Sequence, residues 1–262
     1  MTDRGKGSSV GAVILAAGLG SRLKPLTDSM PKCLTEVHGT PILINALDAL
    51  AANDIDETTL VIGYLGDRIR NAVGDSHDGM SIRYVESDVY ESTNTSYSLW
   101  IALKEWKMPG TVLILEGDVF FERRIIDRLL GCPDENLVVL EPYNPFLDGS
   151  FVSIDGNNRL TAWWHKSHQP AGFILEDKYK TVNIHKFDRT FVQDIMMPGL
   201  KDVMLETAGK APLEYVMEEI IEKGSPPIQA LMAGESKWFE IDDARDLAKA
   251  EEVFGDDDET ET

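Results

Sequence analysis

The feature of this sequence that most limits its fold is an uninterrupted apolar run near its start, GAVILA, from Gly11 to Ala16. Apolar residues at consecutive positions, instead of alternate ones, are typical of a strand that is buried on both faces of a parallel sheet. The runs TTLVI, from Thr58 to Ile62, and TVLIL, from Thr111 to Leu115, repeat the pattern. The sequence therefore predicts a sheet that is covered by helices on both sides.

Segments with a helical spacing of apolar residues alternate with these strands. Thr40 and Pro41 are predicted to be the N-cap and the first residue of a helix. Such alternation predicts one three-layer α/β domain whose sheet is mainly parallel. Helices are predicted over residues 40–53, 94–106, 213–223 and 244–254. Further strands are predicted over residues 81–85 and in a segment that ends at Ile241, and short β-like runs near residues 136–141, 150–154, 159–164 and 182–187.

We divide the chain on this basis into a flexible N terminus (residues 1–9), one domain (residues 10–254) and an acidic disordered tail (residues 255–262). The β-rich segment of residues 136–187 is predicted to be an insertion over the carboxyl edge of the sheet. Ligands of such sheets bind at that edge, where the strands end.

Composition excludes several classes of function. The chain has 262 residues and a formal net charge of −20, so it repels nucleic-acid backbones, and no nucleic-acid partner is expected. No apolar run is long enough for a transmembrane helix, and no membrane partner is expected. Cys33 and Cys132 are far apart and suggest neither a disulfide scaffold nor a zinc cluster. We expect a cytoplasmic protein; the number of subunits stays open, with a homodimer as the candidate assembly.

The most informative segment is LAAGLGSRLKPLTDSMPKCL, from Leu15 to Leu34. Gly18 and Gly20 allow backbone N–H groups to approach an anion, and Arg22 and Lys32 supply positive charge. Glycines together with cations are what a nucleoside triphosphate requires. The segment lacks the GxxxxGK[ST] pattern of a Walker A loop and the third small residue of a GxGxxG dinucleotide fingerprint. A plain small-residue turn is the alternative, and it accounts for neither Arg22 nor the Pro31-Lys32 pair.

This segment closely resembles the signature of the nucleotidyltransferases that make nucleotide sugars and CDP-alcohols. The patterns YSLW, from Tyr97 to Trp100, and WFEIDDARDLAKAE, from Trp238, resemble the branch that contains the CTP:phosphocholine and 2-aminoethylphosphonate cytidylyltransferases. The resemblance runs from Ala12 to about Phe254. It implies a Rossmann-like nucleotidyltransferase domain that has a mixed, mainly parallel central sheet and uses CTP and Mg²⁺.

Two acids are candidate ligands of that metal. Asp118 follows the third buried strand and Asp242 follows the strand KWFEI. If both strands are central, the two carboxylates can converge on a triphosphate bound at the first loop, which is the loop after the opening strand within Leu15 to Leu34. Carboxylate oxygens suit Mg²⁺, and the resemblance independently implies a metal at these two positions. Glu116 and Asp243 are near enough to assist. As alternatives, these acids are solvated strand ends or, for Asp242 and Asp243, caps of the last helix.

The predicted chemistry is nucleotidyl transfer. An ionised acceptor oxygen attacks the α-phosphorus, so catalysis needs positioning and charge stabilisation and no general base. Arg22 and Lys32 are the candidate catalytic residues. The candidate nucleotide-binding residues, some of which we expect to contact the base, are Leu15, Ala16, Ala17, Gly18, Gly20, Ser21, Arg22, Lys32, Glu86, Ser96 and Glu116. Spacing alone does not separate CTP from UTP or dTTP; the preference for CTP follows from the resemblance.

The acceptor is predicted to bind in the segment of residues 136–187. Lys166 and Lys180 are the candidate ligands of its phosphate or phosphonate. A quaternary ammonium such as choline would suit an aromatic cage, although core packing is the simpler role for the aromatic residues of this segment, Tyr143, Phe146, Phe151, Trp163, Trp164 and Tyr179.

Three functions follow from these observations. The first is a Mg²⁺-dependent cytidylyltransferase that acts on a small phosphorylated alcohol or phosphonate. The second is a sugar-1-phosphate uridylyl- or thymidylyltransferase, against which stands the absence of the Asp-Thr-Gly ending typical of those enzymes. The third is a non-catalytic nucleotide sensor, which would not require both Asp118 and Asp242.

Overall fold

A computed structural model describes residues 9–224 and 226–255. The predicted flexible N terminus and acidic tail lie outside the described residues, apart from Ser9 and Gly255. The strands are β1 (Val10–Ala16), β2 (Glu36–Val37), β3 (Thr40–Pro41), β4 (Glu57–Ile62), β5 (Ser76–His77), β6 (Met80–Glu86), β7 (Thr111–Glu116), β8 (Val119–Phe121), β9 (Leu137–Pro142), β10 (Phe151–Ile154), β11 (Leu160–Trp164), β12 (Tyr179–Asp188), β13 (Gln229–Met232) and β14 (Trp238–Glu240).

Helices connect and cover these strands. The α-helices are α1 (Ile42–Ala51), α2 (Gly66–Val73), α3 (Thr95–Leu103), α4 (Arg124–Gly131), α5 (Arg189–Phe191), α6 (Met197–Thr207), α7 (Leu213–Glu222) and α8 (Ala244–Gly255), with a π-helical turn (Val192–Met196) between α5 and α6. Over the described residues, none of the helices has the length and apolar character needed to cross a membrane.

The main sheet has the order β11-β10-β12-β7-β1-β4-β6-β5, and its central strands β7, β1, β4 and β6 are parallel. Strand β12 runs antiparallel to β7, and β9 and β13 extend the sheet from the other edge of β12. The predicted mixed sheet with a parallel centre is therefore confirmed.

Strand β1 lies at the middle of a three-layer domain. Its residues alternate between two cores: Ala12 and Ile14 pack with α1, α2 and α4, whereas Val13 and Leu15 pack with α3, α6 and α7. A strand covered on both faces needs apolar side chains at every position. This explains the continuous run from which the fold was predicted.

The segment of residues 136–187 continues the main sheet instead of forming a separate layer. Within β12, Ile184 pairs with Leu115 of β7, while Lys180 pairs with Phe151 of β10. The first half of β12 therefore extends past the carboxyl end of β7, and β10 pairs with it there. In this way the segment reaches the carboxyl edge, where the insertion was predicted.

The predicted start of the first helix is wrong. Thr40 and Pro41 form strand β3, which pairs with β2, and α1 begins only at Ile42. The condition that the strand before Asp242 is central is not met, because β14 pairs with the short strand β8 in a separate two-stranded antiparallel ribbon. A third apolar cluster, which includes Leu23, Phe120 and Ile241, packs this ribbon against the first loop and α8.

Candidate active site

The loop after β1 forms the floor of a cleft of about 590 Å³ at the carboxyl edge of the sheet. Gly20 has φ of 60° and precedes a short 3₁₀ turn, Ser21–Leu23. A Cβ atom at Gly20 would lie 2.8 Å from Cβ of Lys32, so glycine here permits both the left-handed backbone and the close approach of Lys32. Thr27 holds the turn by donating a hydrogen bond to the Gly20 carbonyl (2.8 Å).

The ribbon of β8 and β14 brings Asp118 and Asp242 together. Asp118 comes just before β8 and Asp242 follows β14 after one residue, so antiparallel pairing places both at the same end of the ribbon. The Ile241 amide donates to the Asp118 carbonyl (2.9 Å) and fixes that end. Asp243 accepts hydrogen bonds from the amides of Arg245 and Asp246 and so caps α8. Asp243 is therefore the cap, while the Asp242 side chain faces the cleft.

Lys32 connects the first loop to both acids. Its Nζ atom lies 2.7 Å from Asp118 Oδ2 and 2.7 Å from Asp242 Oδ1. Arg22 Nη2 lies 2.8 Å from the same Asp242 oxygen. Burial alone would lower the pKa of the Lys32 ammonium, but the Asp118 and Asp242 carboxylates outweigh this effect and raise its pKa above the ordinary value. Lys32 is therefore charged at neutral pH.

The carboxylates around Asp118 fit a hard divalent cation. Glu116, Asp118 and Glu240 each offer an oxygen atom, and these atoms lie within 4.8 Å of one another. Asp242, the second predicted ligand, is not in this group, and its Oδ1 atom contacts Lys32 and Arg22. Asp118 Oδ1 is buried and accepts no hydrogen bond from the described residues. Glu116 and Glu240, in contrast, both accept from the Asn183 side-chain amide at 3.3 Å. Among the described residues of this group, the buried carboxylate oxygen without a hydrogen-bond partner is therefore Oδ1 of Asp118. Carboxylate oxygens are ligands that Mg²⁺ prefers.

A second polar cluster lies at the β12 side of the cleft. Lys180 is only 3% exposed, and its Nζ atom lies 2.9 Å from Glu240 Oε2 and donates to the Thr181 carbonyl at 2.7 Å. Burial, followed by the charges of Glu214, Asp118 and Glu240, raises the pKa of Glu116 well above its ordinary value. The carboxylates of Glu214 and Glu240 therefore lie close enough to Glu116 to disfavour its ionised form.

The structure places most of the predicted site residues around one cleft. The predicted residues that line it are Leu15, Ala16, Ala17, Gly18, Gly20, Ser21, Arg22, Lys32, Glu116, Asp118, Lys166, Lys180 and Asp242. Lys166 is at the rim and forms an ion pair with Asp148.

Glu86 and Ser96, which were predicted to bind the nucleotide, are not among the lining residues. The Glu86 side chain is exposed at the end of β6 and pairs with Arg70 (3.3 Å). Ser96 is fully buried and donates to the Ala211 carbonyl at 2.5 Å, so its hydroxyl joins α3 to the segment before α7. Asn94, Thr95 and Ser98 of the same helix end do line the cleft.

Other lining residues were not found from the sequence, chiefly Ser150, Asn183, Glu214 and Glu240. Asn183 has a left-handed backbone, with φ of 61°, inside a strand, and no local pattern reveals this. The aromatic residues considered for an acceptor cage do not line the cleft; they are Tyr143, Phe146, Phe151, Trp163, Trp164 and Tyr179.

Residues 12–169 match the family of MobA-like NTP transferase domains. The chain belongs to this family. Over 246 residues it is 32% identical to CMP-5'-(3-aminopropyl)phosphonate synthase from Streptomyces rubellomurinus, an alignment that covers 94% of this chain and 39% of that protein. It is 33% identical over 94 residues to choline-phosphate cytidylyltransferase from Streptococcus pneumoniae, covering 36% of this chain and 39% of the relative. Each of these two alignments covers about two fifths of the length of the relative.

Solved structures with the same fold include the CTP:phosphocholine cytidylyltransferase from Streptococcus pneumoniae, with a TM-score of 0.74 and 19% identity, covering 94% of this chain and 99% of the other. The inositol-1-phosphate CTP transferase from T. maritima gives a TM-score of 0.72 and 19% identity, covering 98% and 99%. The family match confirms the predicted nucleotidyltransferase family, and these structures confirm its α/β fold.

Proposed function

We propose that this chain is a Mg²⁺-dependent cytidylyltransferase that transfers CMP from CTP to a small phosphonate or phosphorylated alcohol and releases pyrophosphate. The observation that carries the proposal is the position of Lys32, which follows a glycine-containing loop and contacts two acids that could hold a metal. The preference for CTP is supported by relatives named as a CMP-phosphonate synthase and as choline-phosphate and 2-aminoethylphosphonate cytidylyltransferases.

In the proposed reaction, an anionic oxygen of the acceptor forms a bond to the α-phosphorus of CTP. The bond from that phosphorus to the bridging oxygen of the β-phosphate breaks, and pyrophosphate leaves with both electrons. The acceptor oxygen is already ionised near neutral pH, so no side chain has to remove a proton. The residues of the cleft then have to align the reactants and stabilise charge.

Each side chain has a distinct proposed role. Backbone N–H groups from Ala17 to Ser21 bind the phosphate chain, because the glycines leave them accessible. Lys32 contacts the oxygens on which charge accumulates, and Arg22, which is more exposed, neutralises the leaving pyrophosphate. Asp118 and Asp242 would hold Mg²⁺, and a metal bound there would supply Lewis-acid polarisation of the α-phosphate.

Lys166 and Lys180 are the proposed ligands of the acceptor's phosphoryl group. The Lys180 ammonium has three N–H donors, of which contacts with Glu240 and Thr181 use two. The third is available for a phosphonate oxygen. Lys166 is exposed at the rim and can leave Asp148 to contact the acceptor.

A panel of substrates tests the proposal. Pyrophosphate release is measured with each of CTP, UTP, dTTP and ATP against 3-aminopropylphosphonate, 2-aminoethylphosphonate, phosphocholine and glucose 1-phosphate. We expect release with CTP and a phosphonate or phosphocholine. Release only with UTP or dTTP and glucose 1-phosphate would support the sugar-nucleotide alternative. A folded protein that binds CTP and reacts with none of the acceptors would support a nucleotide sensor. The cytoplasmic location and the homodimer stay predictions from the sequence.

A further inference from the structure

Among the described residues of the acceptor part of the cleft, the Glu214 carboxylate forms no ion pair. This part is formed by Asp148 to Ser150, His165, Lys166, Lys180 and Glu214. Its two lysines are already paired, Lys166 with Asp148 and Lys180 with Glu240. The Glu214 carboxylate accepts a hydrogen bond from the Ser150 hydroxyl at 3.0 Å and, within the residues that the structure describes, forms no ion pair.

The surroundings of Glu214 add to this imbalance of charge. Glu214 lies in the first turn of α7 and is partly buried at the cleft wall. Burial lowers the pKa of Lys180, but Glu240 and then Glu214 raise it, so the Glu214 charge acts on the same small region. A carboxylate that is partly removed from water is stabilised by a cation that hydrogen-bonds to it.

The cleft wall also limits which cation fits. A quaternary ammonium has no N–H group and is usually bound by several aromatic faces. The described residues that line this cleft include two aromatic side chains, Tyr90 and His165, of which His165 is in the acceptor part, and none of the six candidate cage residues. A primary ammonium has three N–H donors. The Glu214 carboxylate can accept one and the Ser150 hydroxyl oxygen a second, so both groups suit a primary amine better than choline.

We propose that Glu214 is the specificity-determining residue for the acceptor, and that it binds a primary ammonium at the end of the acceptor opposite its phosphonate. The acceptor is then a zwitterionic aminoalkyl compound, which Lys166 and Lys180 hold at one end and Glu214 at the other. This inference rests on the proposed cytidylyl transfer.

A pair of acceptors that differ only in the ammonium group tests the inference. Butylphosphonate carries a methyl group where 3-aminopropylphosphonate carries its ammonium. We expect the wild-type protein with CTP to favour the amine in kcat/KM by about tenfold to a hundredfold, which corresponds to one charged hydrogen-bonded pair. Glu214→Gln should lose this preference, mainly through a higher KM for the amine, and Glu214→Asp should keep part of it. Glu222→Gln, an exposed position on the same helix, is the matched control.

The outcomes separate the inference from the proposed function. If the wild type transfers CMP to both phosphonates with equal kcat/KM, or if Glu214→Gln slows both acceptors equally, the inference is wrong and the cytidylyltransferase activity stands. If the wild type is folded and binds CTP but none of the tested acceptors leads to pyrophosphate release, the proposed function fails and the inference fails with it. A preference for the amine that only Glu214→Gln removes supports both.

Discussion

The Nζ atom of Lys32 lies 2.7 Å from Oδ1 of Asp242, although 210 residues of sequence separate them. The guanidinium of Arg22 contacts the same oxygen at 2.8 Å. Lys32 also contacts Asp118, so the two acids proposed to hold Mg²⁺ are neutralised by the two cations proposed to bind the triphosphate. When both ligands bind, the cations would move to the phosphates and free the carboxylates for the metal. Binding of metal and of nucleotide should therefore be coupled.

This coupling predicts that removal of the lysine strengthens metal binding in the absence of nucleotide. Lys32→Met leaves Asp118 and Asp242 without their shared ammonium, so repulsion between the carboxylates favours a divalent cation. We expect Mn²⁺, followed by electron paramagnetic resonance, to bind this variant about tenfold more tightly than the wild type, a difference of about 1.4 kcal/mol. Lys24→Met, an exposed lysine that pairs with Asp28, is the control. Equal or weaker Mn²⁺ binding by Lys32→Met would contradict the coupling.

Gly18 tests the role of the first loop without disturbing the fold. No atom lies within 4 Å of a Cβ built at Gly18, and its backbone is not left-handed, so packing and strain do not require glycine there. Gly18 lines the cleft, where the added methyl group would contact the phosphate chain of bound CTP. We expect Gly18→Ala to unfold at the wild-type temperature but to bind CTP about tenfold or more weakly, a loss of about 1.4 kcal/mol. Calorimetric titration with CTP measures this.

Gly131→Ala is the matched control for that substitution, since this glycine also has open space around its Cβ position and lies at the end of α4, outside the cleft. A Gly18→Ala protein that binds CTP as well as Gly131→Ala does would show that the loop backbone does not contact the phosphates.

The buried His185 predicts a pH dependence of stability. Its ring lies near those of Trp163 and Phe187, and burial, with a smaller effect of the Lys180 charge, lowers its pKa from the ordinary 6.5 to about 3. Between these two values the unfolded chain binds a proton that the folded chain does not. The contribution of His185 to the free energy of unfolding therefore falls by about 1.4 kcal/mol for each unit that the pH drops within that window.

His185→Phe removes the titrating group and keeps an aromatic ring. The stability of this variant relative to the wild type should improve steadily as the pH is lowered from 6.5 towards 4, whatever its difference at neutral pH. Urea unfolding of both proteins across this range measures the difference. A constant difference would mean that the folded protein protonates His185 as readily as the unfolded chain does.

The parts of the site that the sequence predicted are those fixed by short-range patterns. A strand buried on both faces must be apolar at each position, which located β1 and the loop after it. Charged residues are rare in such a loop, so Arg22 and Lys32 stood out. Asp118 was found because an acid directly follows a buried strand.

What the sequence did not reveal depends on contacts between distant segments. The ribbon of β8 and β14 has only three residues in each strand, too few for a periodic signal, yet it places Asp242 beside Asp118. Ser96 carries a hydroxyl group that could bind a ligand, but this hydroxyl donates its hydrogen bond to the Ala211 carbonyl. Glu214 occupies a helical position typical of a solvated acid, and only the packing of α7 against the sheet brings it to the cleft.

The most direct test of the account follows both phosphorus-containing products at once. Phosphorus-31 nuclear magnetic resonance is recorded on CTP, 3-aminopropylphosphonate and Mg²⁺ with the wild type and with Lys32→Met. We predict that the wild type forms pyrophosphate and a CMP-phosphonate anhydride in equal amounts. Lys32→Met should form them at least about a hundredfold more slowly, because one charge-stabilising contact is lost. Formation of CDP and orthophosphate by the wild type, or equal rates in the two proteins, would contradict the account.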